Sequence, residues 1–248
     1  MKLIYLSPHL DDAVYSCGGK VWQDIQRGDS AEIWTIFAGD PTSELTPFAR
    51  ELHTRWGVGV EAVDRRRGED RAACSVLGAT YRHLDHPDCI YRLYPETGEP
   101  VIRENDDLFR PVQPGELALV RQICDELLER NIEGLPLFSP LGIGGHLDHR
   151  IVRAAAEATG LPLVYYADFP YAAERFVEVA NDVPDGCDPE TYTLNENARE
   201  KWMEGVAAYA SQLSSFWPSI DAMHASIREY SQLLLGHTVW KCVAYRGI

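Results

Sequence analysis

Short apolar runs closed by Gly, Pro, Asp or Ser alternate along the chain with longer segments whose apolar residues recur every three or four positions. The runs at 2–7, 31–37, 80–84, 135–139 and 163–167 are nearly continuous rather than alternating, the pattern of strands covered on both faces. Helices are predicted between them. The first opens at Asp11 or Asp12, carries Val14, Cys17, Val21 and Ile25, and stops at Gly28. A second runs from Asp64 through Ala72, Ala73, Val76 and Leu77 to Gly78. Pro114 suits the first turn of a third, striped by Leu117, Val120, Cys124, Leu127 and Leu128. A fourth extends from about Asp148 through Ile151, Val152, Ala155 and Ala156 to Gly160. This succession predicts an α/β fold: a Rossmann-like, mostly parallel sheet with helices on both faces. A helix over 197–213 and a last strand over 239–245 complete what reads as one domain over residues 1–248, with no repeat, low-complexity tract or linker.

Residues 89–113 break the pattern. They are polar, interrupted by Pro95, Pro100 and Pro111, and too long for a plain connection. The expectation is a loop over a pocket, with Arg92, Arg103 and Arg110 reaching an anionic or hydroxyl-rich substrate. Together with 40–63 it is expected to set specificity. A formal charge of −15 argues against nucleic acid and anionic membrane surfaces as partners. No apolar run reaches the roughly 18 residues that a membrane-spanning helix needs. Six cysteines include no CxxC pair, and the opening MKLIYLSPH is too quickly polar for a signal peptide. Reduced thiols, mostly small core residues, in a cytoplasmic compartment are therefore expected. Trp22, Trp34, Trp202 and Trp217 are expected in the core, and His83, His86, His224 and His237 fall at no ligand spacing. The oligomeric state stays open, a homo-oligomer included.

Chemistry concentrates in two clusters. S-P-H-L-D-D (7–12) follows the first strand, and G-G-H-L-D-H (144–149) follows the fourth at the start of its helix. Ligands of an open α/β sheet bind beyond the carboxyl ends of its strands, where both clusters lie. Zinc takes imidazole and carboxylate, and a catalytic site leaves one position open. His9 and Asp12 are three apart, as are His146 and His149, so each pair can face one point. Asp11 and Asp12 could equally be helix caps. Three ligands from two strand ends with a carboxylate to spare amount to a hydrolytic zinc site.

P-H-L-D-D-A and H-L-D-H-R resemble the A-H-P-D-D-E and H-P-D-H signatures of the PIG-L/LmbE-like zinc-dependent N-acetyl-sugar deacetylases. Arg66-x-x-Glu69, followed by Ala72, Ala73 and Leu77-Gly78, resembles that family's R-x-x-E helix. The resemblance implies a hydrolase removing an acyl group, acetyl in the first instance, from the amide nitrogen of an N-acetylglucosamine-type sugar or conjugate. It implies His9, Asp12 and His149 as ligands of Zn2+, with Fe2+ or another divalent ion as alternatives. Asp11 becomes the general base, and His146 polarises the carbonyl or protonates the leaving amine. Asp148 orients an imidazole, that of His146, while Arg66 and Asp88 contact the small-molecule substrate.

Four departures stand out: Leu10 and Leu147 replace prolines, Ala13 replaces Glu, and Gly144 stands where some members carry Tyr or Asp. Tyr166, Asp168 and Tyr171, after the fifth strand, are further candidates to line the pocket. A metal-dependent phosphoesterase is a rival reading, disfavoured because ligands for one metal only are in view and no Gly-rich phosphate loop is present. A zinc-retaining, non-catalytic sugar-binding protein is another, disfavoured by the intact Asp11 and His146.

Overall fold

The computed structural model describes residues 1–41, 44–57, 59, 61–175, 179–233 and 238–242. His237 and residues 243–245 of the expected last strand lie outside them. Five strands fall within the predicted apolar runs or one residue beyond them: β1 (Lys2–Ser7), β2 (Ser30–Thr35), β3 (Thr80–His83), β4 (Leu137–Pro140) and β5 (Leu163–Tyr166). They are parallel, and with β6 (Cys187–Thr191) and β7 (Thr238–Cys242) they form a seven-stranded sheet of order β3-β2-β1-β4-β5-β7-β6. β7 runs antiparallel to both β5 and β6, so the sheet is mixed at one edge. β1 pairs with β2 on one side, Leu6 opposite Trp34, and with β4 on the other, Tyr5 opposite Phe138. The order reverses between β1 and β4. Successive connections leave that point in opposite directions, which opens a crevice at the strands' carboxyl ends.

Helix α1 (Asp12–Gln26) begins at the first cluster and α5 (Leu147–Ala158) at the second. Right-handed crossovers from β1 to β2 and from β4 to β5 put these two helices on opposite faces. The others are α2 (Pro47–Arg55), α3 (Ala62–Leu77), α4 (Leu117–Arg130), the single turns α6 (Tyr171–Glu174) and α7 (Val179–Asp182), α8 (Glu196–Ala207) and α9 (Ile220–Gln232). α1, α3 and α8 pack on one another, as α4 does on α5. Gly78 ends α3 with φ +75°, the left-handed conformation expected of a C-terminal glycine.

Several expectations need correction. α3 starts two residues before Asp64, whose carboxylate instead pairs with Arg67. Pro114 opens a 3-10 turn, Pro114–Glu116, ahead of α4. The helix expected over 197–213 ends at Ala207, and the chain then turns through Leu213–Ser215. α2, β6 and α9 were not anticipated. α2 carries a readable start, Thr46 accepting the Ala49 N–H ahead of Pro47, but buries only Phe48, Ala49, Leu52 and His53. β6 is polar and mostly exposed, as an edge strand can be. The expectation of reduced cysteines also fails in part. Cys187 and Cys242 stand opposite each other across β6 and β7 and form a disulfide, whereas Cys17, Cys74, Cys89 and Cys124 are free and buried. A pair 55 residues apart becomes adjacent only through strand register, which spacing cannot reveal. Disulfides are rare in reducing compartments, so the thiol-based ground for a cytoplasmic location falls away. No helix among the described residues is long and apolar enough to cross a membrane.

α8 holds α1 in place through Trp202. Its indole N–H donates to the carbonyls of Val14 and Tyr15 at 3.0 and 2.9 Å, and its ring lies against Gly18. A Cβ at position 18 would stand 2.7 Å from Trp202 Cδ1. On an exposed helix, Gly→Ala gains about 0.5–1 kcal/mol. Here the buried indole is held by two hydrogen bonds and cannot yield cheaply, so Gly18→Ala is expected to destabilise by about 1–3 kcal/mol. Equilibrium urea unfolding measures the sign, and stabilisation would show that Trp202 moves freely.

Candidate metal centre and cleft

Ser7 shapes the first cluster. Its hydroxyl donates to the His9 carbonyl at 2.6 Å and accepts the Ala13 N–H at 2.9 Å, closing a tight turn into α1. Leu10 and Leu147 point into the core, which accounts for apolar residues at these two positions. Asp11 occupies the N-cap position of α1 yet its side chain makes no capping bond, so the cap expectation fails for Asp11. Asp12 accepts the His9 backbone N–H at 2.8 Å. The same oxygen, Oδ2, lies 3.2 Å from His9 Nδ1 and 3.3 Å from His149 Nε2. The edge of a tetrahedron with metal–ligand bonds of about 2.0–2.1 Å is about 3.3–3.4 Å, so both separations from Asp12 match those between ligands of one zinc-sized ion.

The outer nitrogens of both rings are engaged. His149 Nδ1 is 2.7 Å from Asp168 Oδ1, and Asp168 Oδ2 accepts N–H groups from Gly142 and Ile143 at 2.8 and 2.9 Å. His9 Nε2 is 3.1 Å from Asp148 Oδ2 and 3.7 Å from Asp88 Oδ2. An imidazole whose far nitrogen faces a carboxylate is the usual outer arrangement of metal-binding histidines. Asp148 thus orients an imidazole as expected, but that of His9 rather than His146. The contact to His146 is made by the Asp148 backbone, whose N–H donates to His146 Nδ1 at 3.3 Å. That bond leaves Nε2 of His146 as the protonated nitrogen. Its ring centroid is 4.9 Å from that of His9 and 5.2 Å from that of His149, and the ring nitrogens of all three offer donors within 4.8 Å of one another.

The electrostatics agree with a point that attracts positive charge. Against the opposing effect of burial, Asp12 and Asp168 hold His149 protonated up to about 10. Likewise, despite burial, Asp88, Asp12 and Asp148 raise His9 well above its usual value. His149 and His9 in turn hold Asp12 well below the carboxylate range, although burial opposes this. Burial and the neighbouring Asp12 push Asp11 up to about 7, while Arg66 pulls it down. Burial, reinforced by His9 and His149, drives His146 well below the ordinary imidazole value, so it is neutral near pH 7.

Arg66 enters from α3, with Nη2 3.8 Å from Asp11 and Nη1 3.8 Å from Asp88. Its Cζ lies 5.3 Å from the Trp56 ring centroid, and its buried Nε has no hydrogen-bond partner among the described residues. Arg65 and Arg67 pair with Glu69 and with Asp40 and Asp64 instead. Glu69 also accepts both the N–H and the hydroxyl of Ser211, fixing the segment that carries Gln212 into the cleft. Asp88 caps a 3-10 turn through Ile90 N–H while its other oxygen faces His9 and Arg66.

The cleft above these groups has a volume of about 210 Å³. Its apolar wall comes from Leu52, Trp56, Leu108, Phe109, Tyr171 and Phe216. Residues 89–113 therefore do reach the cleft, but through Ile90, Asn105, Leu108 and Phe109. The three arginines expected to reach substrate do not line it. Arg92 binds Asp148, Arg103 pairs with Glu99, and Arg110 pairs with Glu116. Part of this segment is core rather than loop: Cys89, Tyr91, Val101 and Ile102 are buried. Of the candidates Tyr166, Asp168 and Tyr171, Tyr171 alone lines the cleft. Tyr166 donates to the Leu6 carbonyl in the core. Gly144, with φ +87°, has no room for a side chain, since a Cβ would come within 2.8 Å of Tyr171. Trp56, Phe216 and the Asp168 support of His149 escaped the sequence reading.

The family described as GlcNAc-PI de-N-acetylase, PIG-L, matches residues 4–159, from β1 to the C-terminal end of α5. Two 2'-N-acetylparomamine deacetylases are similar in sequence. That of Niallia circulans is 28% identical over 185 residues, covering 68% of this chain and 66% of the relative. That of Streptomyces fradiae is 32% identical over 182 residues, covering 70% of this chain and 59% of the relative. The matches thus span about three fifths to two thirds of these relatives' own length. The zinc-inhibited form of teicoplanin deacetylase superposes with a TM-score of 0.85 at 27% identity over the whole of both chains. On the extent of the family match, together with the shared fold, this chain belongs to the PIG-L family of GlcNAc-PI de-N-acetylases.

Proposed function

We propose that the chain is a metal-dependent N-deacetylase that hydrolyses the acyl amide of an N-acetylglucosamine-type amino sugar or its conjugate. One observation carries the reading: the donor atoms of His9, Asp12 and His149 meet at 3.2 and 3.3 Å beside Asp11, a buried carboxylate that caps nothing. Two imidazoles and one carboxylate suit Zn2+, with Fe2+ as the alternative. The bound ion supplies Lewis acidity, polarising the acyl carbonyl and acidifying water. Asp11 takes the proton of the attacking water and returns it to the amine nitrogen as the C–N bond breaks. Neutral His146, protonated on Nε2, donates a hydrogen bond to the oxygen on which charge develops. Of the two roles open to His146 in the sequence, polarising the carbonyl is therefore favoured over protonating the amine. Arg66 and Asp88 offer a donor and an acceptor for sugar hydroxyls, and Trp56 and Phe109 offer apolar faces. The relatives named as 2'-N-acetylparomamine and teicoplanin deacetylases support an amino-sugar substrate. Against a two-metal phosphoesterase stands the charge beside the second acidic group, His9 with Asp88 and Asp148, which Arg66 and Arg92 already neutralise.

Acetate release from N-acetylglucosamine conjugates, with metal content measured in parallel, tests the roles. Chelation should abolish turnover. Asp11→Ala should retain the metal and lose about 100-fold or more in kcat, the worth of a positioned base. His149→Ala should lose the metal. Metal lost from Asp11→Ala but kept by His149→Ala would reverse the assignment.

Substrate choice belongs to the aromatic wall. Trp56→Ala and Phe109→Ala should each lower kcat/KM about 3- to 10-fold, the worth of one aromatic contact of about 0.5–1.5 kcal/mol, at unchanged metal content. Arg103→Ala should leave kcat/KM as it is. A large loss in Arg103→Ala with none in the aromatic variants would restore the arginine reading.

A further inference from the structure

Asp148 stands in the first turn of α5, fully buried. Its Oδ2 faces His9 Nε2 and also accepts the Cys89 N–H at 2.9 Å. Its Oδ1 is held by the guanidinium of Arg92. Arg92 is itself fixed. It donates to the Pro87 carbonyl at 3.3 Å, its Cζ lies 4.8 Å from the centroid of the Phe37 ring, and only 11% of its side chain is exposed. It lines no part of the cleft, and the chemistry set out above does not use it. Without the guanidinium, Asp148 would be a buried anion with the Cys89 N–H as the one backbone donor left to orient it toward His9. The His9 ring needs that oxygen. An acceptor at Nε2 keeps the proton there, and only then is the Nδ1 lone pair free toward Asp12 and His149.

We propose that Arg92 is a positioning residue for metal binding: by clamping Asp148 it sets the tautomer and orientation of His9 and so presents Nδ1 to the cation. The inference rests on the assignment of His9, Asp12 and His149 as ligands. Partners outside the ligand shell typically govern about 10–100-fold in metal affinity. Arg92 acts through one such partner, so the route can be tested by asking whether its effect survives when Asp148 is altered.

The measurement is the Zn2+ dissociation constant, by competition with a chromophoric chelator, for the wild type, Arg92→Met, Asp148→Asn and the double variant. Arg92→Met is expected to weaken Zn2+ binding about 10-fold or more, with native far-ultraviolet circular dichroism and an altered visible spectrum of the Co2+-loaded protein. In the Asp148→Asn background the same substitution should have little further effect. Arg110→Met removes another partly buried ion pair of the same segment, away from His9, and should leave the Zn2+ affinity unchanged. Should Arg92→Met not fold, Arg92→Gln takes its place with the same expectations. Wild-type affinity in the Arg92 variant overturns the proposal, as does a loss of equal size in the Asp148→Asn background. His149→Ala distinguishes the two levels. If it binds Zn2+ like the wild type, the ligand assignment itself is wrong; if it loses Zn2+ while Arg92→Met does not, the role of Arg92 alone is wrong.

Discussion

Five carboxylates, those of Asp11, Asp12, Asp88, Asp148 and Asp168, are packed around two imidazoles where little water reaches. Such a cluster is stable only if positive charge is brought in beside it. Arg66 and Arg92 supply two charges from within the fold. With both imidazoles neutral, three negative charges are left over. A divalent cation held between His9, Asp12 and His149 would reduce the excess to one, and Asp11 shares the guanidinium of Arg66 with Asp88 at 3.8 Å. Without a cation, burial and Asp12 raise the Asp11 carboxyl to about 7, while Arg66 pulls it down. The demand for charge balance thus ties the ligand set, the two buried arginines and the base to one another.

The sheet delivers these groups to one point. β1 and β4 are neighbours at the reversal of strand order, so the turns leaving them place His9 and His149 around the same oxygen of Asp12. The segment leaving β3 then passes beneath, contributing the Asp88 carboxylate, the Cys89 N–H and the Arg92 guanidinium within five residues. The segment leaving β5 supplies Asp168 to the other ring and, with the same carboxylate, ties down the glycine loop before His146. Glycine at 144 and the ring of Tyr171 are complementary, one giving up the space that the other fills.

The strands, and the two His/Asp clusters that the fold brings together, were legible because each had a local signature. Continuous apolar runs mark buried parallel strands, and His and Asp three residues apart at a strand end have few other uses. What stayed hidden depended on partners distant in sequence. Asp148 lies two residues from His146 but serves His9, 139 positions away, because α5 turns its side chain toward β1. Arg92, in a polar stretch, was expected to reach the substrate, and only the fold reveals that it closes on Asp148. Cys187 and Cys242 meet through antiparallel register. α2 and β6 bury too few residues to leave a periodic trace.

The two halves of the cleft obey different constraints. The metal-facing half must balance charge to within one unit and hold donor atoms a few tenths of an ångström from ideal spacing, so nearly every polar group there has a fixed partner. The facing wall has only to exclude water and present apolar surface. Its members come from α2 and the residue that ends it, from the 3-10 turn at Asn105–Phe109, and from the segments after β5 and α8. Phe109 is 41% exposed, and no hydrogen bond holds its ring. A substitution in the near half disturbs several buried charges together, whereas one in the far wall removes ring contacts such as those of Trp56 with Arg66 and Tyr171 with His149. Tyr171, Gln212 and Phe216 lie beyond residues 4–159, the stretch that carries every group assigned to the metal and to proton transfer. Leu52, Trp56, Leu108 and Phe109 of the wall nevertheless lie within the matched residues, so the match takes in part of both halves of the cleft.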